Sequence, residues 1–321
     1  MKQTEFESLH RPFWHEFELT IEAFHQGEMR QLADFPQNYR KLCQHMAIAN
    51  SRGYAASIIR YLNTLVKQGY QILYGNQVGR GHAFINFIFV DFQATLIANL
   101  RYVLIAALLF LVPLIGVTLM CFFNDEFIYS LMAPEQVRMF ESMYDPSVES
   151  FGRERQSDSD LMMFGFYIKN NIGIAFTMFA TGIFFCVGSL FSLVFNGIHI
   201  GAAMGHLASI GYVDTFFPFV VGHGSFELTA IVFAGAAGIK IGYALLAPGN
   251  LSRLQSLQMA AKQAIKIMYG AGLMLLIAAF IEAFWSSSST LTNTVKYSVG
   301  AGLWIFVFYY CFFLGRAHRA T

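Results

Sequence analysis

From residue 161 to its end, half of its length, the chain carries three acidic side chains: Asp214, Glu227 and Glu282. Two of them sit in apolar runs. Glu227 follows His223 by four residues in "FVVGHGSFELTAIVFAG" (219–235), and Glu282 lies in "AAFIEAFWSS" (278–287). A carboxylate in hydrocarbon costs about 3 kcal/mol, so it faces a bundle interior or a watery cavity and finds a partner there. On a helix, positions 223 and 227 share a face, with side chains about 6 Å apart. An imidazole with two carboxylates is a ligand set for zinc or another divalent ion, which makes His223, Glu227 and Glu282 a candidate metal site. Two other readings use the same atoms: a neutral hydrogen-bonded network that fixes helix register, and one step of a proton or solute path. The H-E-x-x-H spacing of zinc proteases is absent, and no separate general base stands out. The Gly-rich stretch before them adds Asn196, His199 and His206. The candidate polar cluster is therefore His223, Glu227, Glu282, His206 and Asn196, with His206 expected nearer the middle of its span and His199 nearer the cytoplasm.

The elements that must carry these residues are membrane helices. The chain is 55% hydrophobic and 13% charged, with 34 Phe and a mean hydropathy of +0.47, outside the range of soluble domains. The expected fold is all-α and polytopic, with the lipid bilayer as its first partner. Apolar runs of adequate length predict about six transmembrane helices near 103–123, 172–195, 197–219, 225–247, 267–285 and 299–314. The loop 124–160 holds nine acids against three arginines and reads as outer. Arg253, Lys262 and Lys266, and later Arg316 and Arg319, mark inner segments, so both termini are expected in the cytoplasm. Gly211, Asp214 and Pro218 leave open a second layout in which 197–224 forms a re-entrant hairpin. Small residues recur at every fourth position in Gly197, Gly201 and Gly205, and in Ala230, Ala234, Gly238 and Gly242. Such stripes let backbones approach closely, either inside one subunit, the favoured reading, or across a homodimer. Lys169, Asn170 and Asn171 read as an outer interface anchor, and "SSSST" (286–290) as a short outer loop and nothing more.

Residues 1–81 are polar and mixed in charge, with apolar side chains at helical spacing, and predict a cytoplasmic helical domain. The aromatic-rich 82–102 suits an amphipathic helix lying in the interface. No signal-peptide pattern opens the sequence. A net charge of +1 offers no basic field for nucleic acid. P-loop, G-x-S-x-G and Rossmann patterns are absent, so no cofactor-binding motif is seen. The four cysteines are scattered, which predicts neither a disulfide nor a thiolate metal site.

Four blocks in order, "NYRKLCQHMAIANSRG" (38–53), "NGIHIGAAMGH" (196–206), "GHGSFELTAIVFAGAAGIKIGYALL" (222–246) and "AAFIEAFWSS", resemble the stage II sporulation protein M family. Its H-G-x-x-E-L block falls on His223, Gly224, Glu227 and Leu228, and its I-E-x-F block on Ile281, Glu282 and Phe284. One departure is a missing proline ahead of the first span. The resemblance implies a bacterial inner-membrane protein acting as a scaffold or assembly component of a cell-envelope complex, in many members encoded beside MoxR-type ATPases. Envelope protein partners would then dock on loop 124–160, with Phe140, Tyr144 and Phe151, and on the cytoplasmic domain. The alternatives are a metal-dependent intramembrane hydrolase using the His/Glu/Glu site, and a small-solute or proton pathway.

Overall fold

The computed structural model describes residues 2–25, 34–74, 84–147, 159–288 and 290–314, and every regular element among them is helical. The chain divides into two compact units, Met1–Ala83 and Phe84–Thr321.

The first unit consists of α1 (Gln3–His25), α2 (Phe35–Ser51) and α3 (Ala56–Tyr74). Their apolar faces close over Phe6, Trp14, Phe17, Leu42, Leu62 and Leu65. Trp14 is fully buried, and its indole N–H donates to Nδ1 of His45 at 3.0 Å. That bond satisfies a polar atom which would otherwise be buried at a cost. Gly53, at φ +63°, supplies the left-handed residue that ends α2 and turns the chain toward α3.

The second unit holds the membrane helices: α5 (Leu100–Phe123), α8 (Val187–Ser209), α9 (Val213–Leu246), α10 (Arg253–Phe280) and α11 (Asn293–Phe312). These five, with α10 continuing to Ser286, are long and apolar enough to cross a membrane. Between α5 and α8 come a short 3-10 turn (Phe127–Ser130), α6 (Pro134–Tyr144) and α7 (Ser159–Thr181). Although α7 has the length of a span and lies along α9 and α10, it carries Asp160 and Lys169 and is not among the five. The central helix is α9: 72% of its apolar window is buried, and it touches α5, α7, α8, α10 and α11.

Two turns fall inside the expected spans, the first where hydropathy does not register it and the second at Gly211, where the sequence already shows an interruption. The chain reverses between α7 and α8 at 182–186, inside the expected span 172–195, and again at 210–212, inside the expected span 197–219. Phe185 and Cys186 take positive φ of 53° and 71° in the first turn. Since "GIFFC" is apolar throughout, the hydropathy profile runs through the reversal without a dip. Cys186 Sγ lies 3.3 Å from the Ile239 carbonyl, so packing on α9 holds this strained turn. The second turn uses Gly211 at φ +88° to join α8 to α9, each long and apolar enough to cross a membrane. It also reverses the expected depths: His206 lies in the last turn of α8 and His199 near its middle.

The small-residue stripe works within the subunit. A β-carbon on Gly197, Gly201 or Gly205 would run into the carbonyl oxygens of Phe110, Leu114 and Thr118, so α8 lies parallel to α5 at backbone contact.

Of the segment expected at the interface, 82–102, the described residues 84–102 form a broken helix packed in part on the bundle. A π-turn (Phe87–Asp91) leads into α4 (Phe92–Ala98), and the chain turns at buried Asn99 before α5 begins. Phe92 occupies the space that a side chain at Gly270 of α10 would fill. Tyr310 of α11 donates to the Ile88 carbonyl at 2.7 Å, and Asn99 donates to Gln263 at 3.1 Å. Phe92 and Leu96 are buried in this packing, while Phe84, Ile85 and Phe89 stay exposed.

Candidate functional site

At the end of the bundle that carries α6, α9 brings His223 and Glu227 to the same side on successive turns. The neighbouring α10 ends in a π-helical turn, Ile281–Ser286, on which Glu282 and Ser286 stand four residues apart and share a face. Glu282 and Ser286 thereby both serve the site. Trp285 lies over Gly222, where any β-carbon would strike its ring, so the π-turn can approach α9 closely.

One ligand atom from each of His223, Glu227 and Glu282 lies within 4.8 Å of the others, and His223 Nε2 stands 3.9 Å from Glu227 Oε2. The other imidazole nitrogen, Nδ1, is 3.1 Å from Ser286 Oγ. With Nδ1 donating to that hydroxyl, Nε2 turns its lone pair toward the carboxylates, which is the tautomer a metal ligand needs. Lys296, buried at the start of α11, donates to the Ser286 carbonyl at 2.8 Å and satisfies an acceptor at the helix end.

These groups open on a cavity of about 390 Å³ walled by Phe140, Tyr144, His199, Phe216 and Trp304 among others. Its cover is α6. Tyr144 stacks edge-on against Phe216 and Phe219, with centroids 4.9 and 5.7 Å away, and the Thr215 hydroxyl donates to the Tyr144 carbonyl at 2.6 Å. Burial first, then the charges of Glu282, Tyr167 and Glu227, pushes the Tyr144 hydroxyl well above the usual phenol range, so it remains an O–H donor beside the carboxylates. The aromatics expected to face a protein partner, Phe140 and Tyr144, thus cover the cavity. Phe151 lies outside the described residues.

The other residues of the expected cluster go elsewhere. His206, at the end of α8, pairs with Glu141 of α6 at 2.8 Å and fastens that helix to the bundle. Asn196 donates to the Ser192 carbonyl and borders a separate depression with Lys169 and Asn170, so those two are not an anchor at a helix end but lie about halfway along α7. His206 shares a helical face with His199 but lies two turns further along, in the last turn of α8. His199 does line the cavity, with its ring 5.9 Å from that of Phe140. Asp214 is exposed at the start of α9 and is not among the grouped donors. Ser286 and Lys296 escaped the sequence reading. The clue was present in "SSSST" and in a lysine just before an apolar run, but neither residue type announces a partner.

The helices and their buried polar site define a polytopic α-helical membrane protein. The family model described as stage II sporulation protein M matches residues 105–287, more than half of the chain, and the chain belongs to that family. A second model, described as a domain of unknown function (DUF8413), matches residues 4–75, within the first unit. Among curated proteins, an uncharacterized protein of Methanocaldococcus jannaschii, MJ0793, is 27% identical over 119 residues, covering 36% of this chain and 67% of that protein. No solved structure gives a significant match.

Proposed function

We propose that the membrane unit binds one divalent cation through His223, Glu227 and Glu282 and uses it for hydrolysis within the membrane. The carrying observation is the convergence of these three donors, from two helices, on one cavity. A tetrahedral zinc with ligands at about 2.0–2.2 Å holds them about 3.4 Å apart, so the 3.9 Å between His223 and Glu227 must close by about 0.5 Å, and separations of up to 4.8 Å within the set by about 1.4 Å at most, through movement of the two flexible glutamates. Three protein ligands leave a fourth position for water, and the cavity supplies the room that a catalytic site requires. Ser286 would set the imidazole tautomer, while Tyr144 would offer a proton to charge developing on the substrate.

The test is metal analysis of the purified full-length protein, alone and as His223→Ala and Glu282→Gln. One equivalent of zinc or another divalent ion in the parent protein, lost in both variants, is the expected result. A parent protein that retains no ion after loading with zinc, manganese and calcium in turn would overturn it.

A second reading, an assembly component of a bacterial inner-membrane envelope complex, is supported by the separate N-terminal unit with its own matching family model. Such a compact helical module, expected in the cytoplasm, suits docking of a protein partner. Loss of partner recovery after deletion of residues 1–81, with metal content unchanged, would support this role as an addition to the metal site.

A further inference from the structure

At the opposite end of α9 from His223, two cations share one aromatic ring. The Arg101 guanidinium carbon lies 4.6 Å from the centroid of Tyr102, and Lys240 Nζ lies 5.2 Å from the same centroid. Arg101 also approaches Tyr243 at 5.6 Å and donates to the Tyr102 hydroxyl at 2.7 Å. No carboxylate among the described residues forms an ion pair with either cation, and none lines the cavity of about 250 Å³ into which they project. Its polar lining is instead Ser256, Gln263 and the two tyrosines.

Two like charges held this close at the edge of a bundle repel, and cation–π contacts of about 1 kcal/mol each offset that only in part. An anion between them removes the repulsion. The fork of Arg101, the point charge of Lys240 and the Ser256 hydroxyl are the donor types that hold a phosphate. Exposed Leu251 and Met259 border the same cavity, and exposed Leu104 lies one turn beyond Arg101 on α5, an apolar track leading away from the charges. Arg253, Lys262 and Lys266 make this the end of α10 that is expected to face the cytoplasm, where anionic lipids attract basic segments.

We propose that Arg101 and Lys240 bind the phosphate of an anionic phospholipid, with its acyl chains lying along α5 and α10. The test uses full-length protein in nanodiscs of phosphatidylcholine mixed with phosphatidylglycerol, with native mass spectrometry counting the retained lipids. A preference of about 25-fold for phosphatidylglycerol is expected, about fivefold per cation, and it should disappear in the Arg101→Gln/Lys240→Gln double variant. Arg101→Lys/Lys240→Arg keeps both charges and should keep most of the preference, which separates lipid binding from a folding defect. Equal retention of the two lipids by the parent protein would overturn the proposal, as would an unchanged preference in the double glutamine variant. Thermal stabilisation by inorganic phosphate without any lipid preference would also overturn it, by pointing to a soluble phosphate ligand.

Discussion

His223 and Ser286 are 63 residues apart in the chain and 3.1 Å apart in space, with imidazole Nδ1 against the serine hydroxyl. Ser286 is the last residue of the π-turn that ends α10. The contact leaves Nε2 facing Glu227 and Glu282, and it divides the site into atoms that would touch an ion and an atom that orients one of them.

Ser286→Ala removes the orienting hydroxyl and none of the three donors. Metal affinity is expected to fall about 10–100-fold, with binding still measurable at higher metal concentration, whereas His223→Ala should abolish it. Competition with a chelator of known affinity measures both. Equal, complete loss in the two variants would mean that Ser286 acts on folding and not on orientation.

Gly201→Ala places a methyl group against the Leu114 carbonyl, where α5 and α8 meet backbone to backbone. A cost of about 1–3 kcal/mol is expected, read as a lower unfolding midpoint in detergent. Gly272 has open space around it, so Gly272→Ala on α10 is the matched control and should not lower the midpoint. If both variants melt with the parent protein, the close approach of α5 and α8 contributes nothing.

The first unit should lose stability as the medium turns acid. His45 is held down to about 4 by burial, with His10 and Lys41 adding like-charge repulsion, and His10 is lowered by burial and by Lys41. The unfolded chain, with ordinary histidines near 6.5, therefore takes up protons that the folded unit refuses. Stability is complete above about pH 6.5 and is lost as pH falls toward 4, where the loss levels off. Protonation also removes the lone pair that accepts from Trp14. Hydrogen exchange of α1 and α2 amides in the full chain, corrected for the intrinsic pH effect, should speed up across that window. In His45→Leu most of this pH dependence should disappear, even where the variant is less stable overall. An unchanged slope in that variant would assign the effect to other groups.

What was legible in the sequence follows from energies that do not depend on neighbours. Moving apolar side chains into lipid and charges out of it is settled residue by residue, so composition alone specified a helical membrane protein and marked Glu227 and Glu282 as acids requiring a reason to be there. The i, i+4 spacing of His223 and Glu227 likewise needed only helical geometry. The turns did not obey such sums, because the left-handed backbone at Phe185 and Cys186 is held by contacts with α9, and apolar residues there look the same as those of a span. Nor did the membership of the site. His206 meets Glu141 because it sits two turns beyond His199, at the end of α8, and Asn196 borders a depression beside α7, while Ser286 at the end of α10 meets His223. Residue type determined which side chains needed partners; only the packing of one helix on another, set in part by glycine contacts, decided which partners they received.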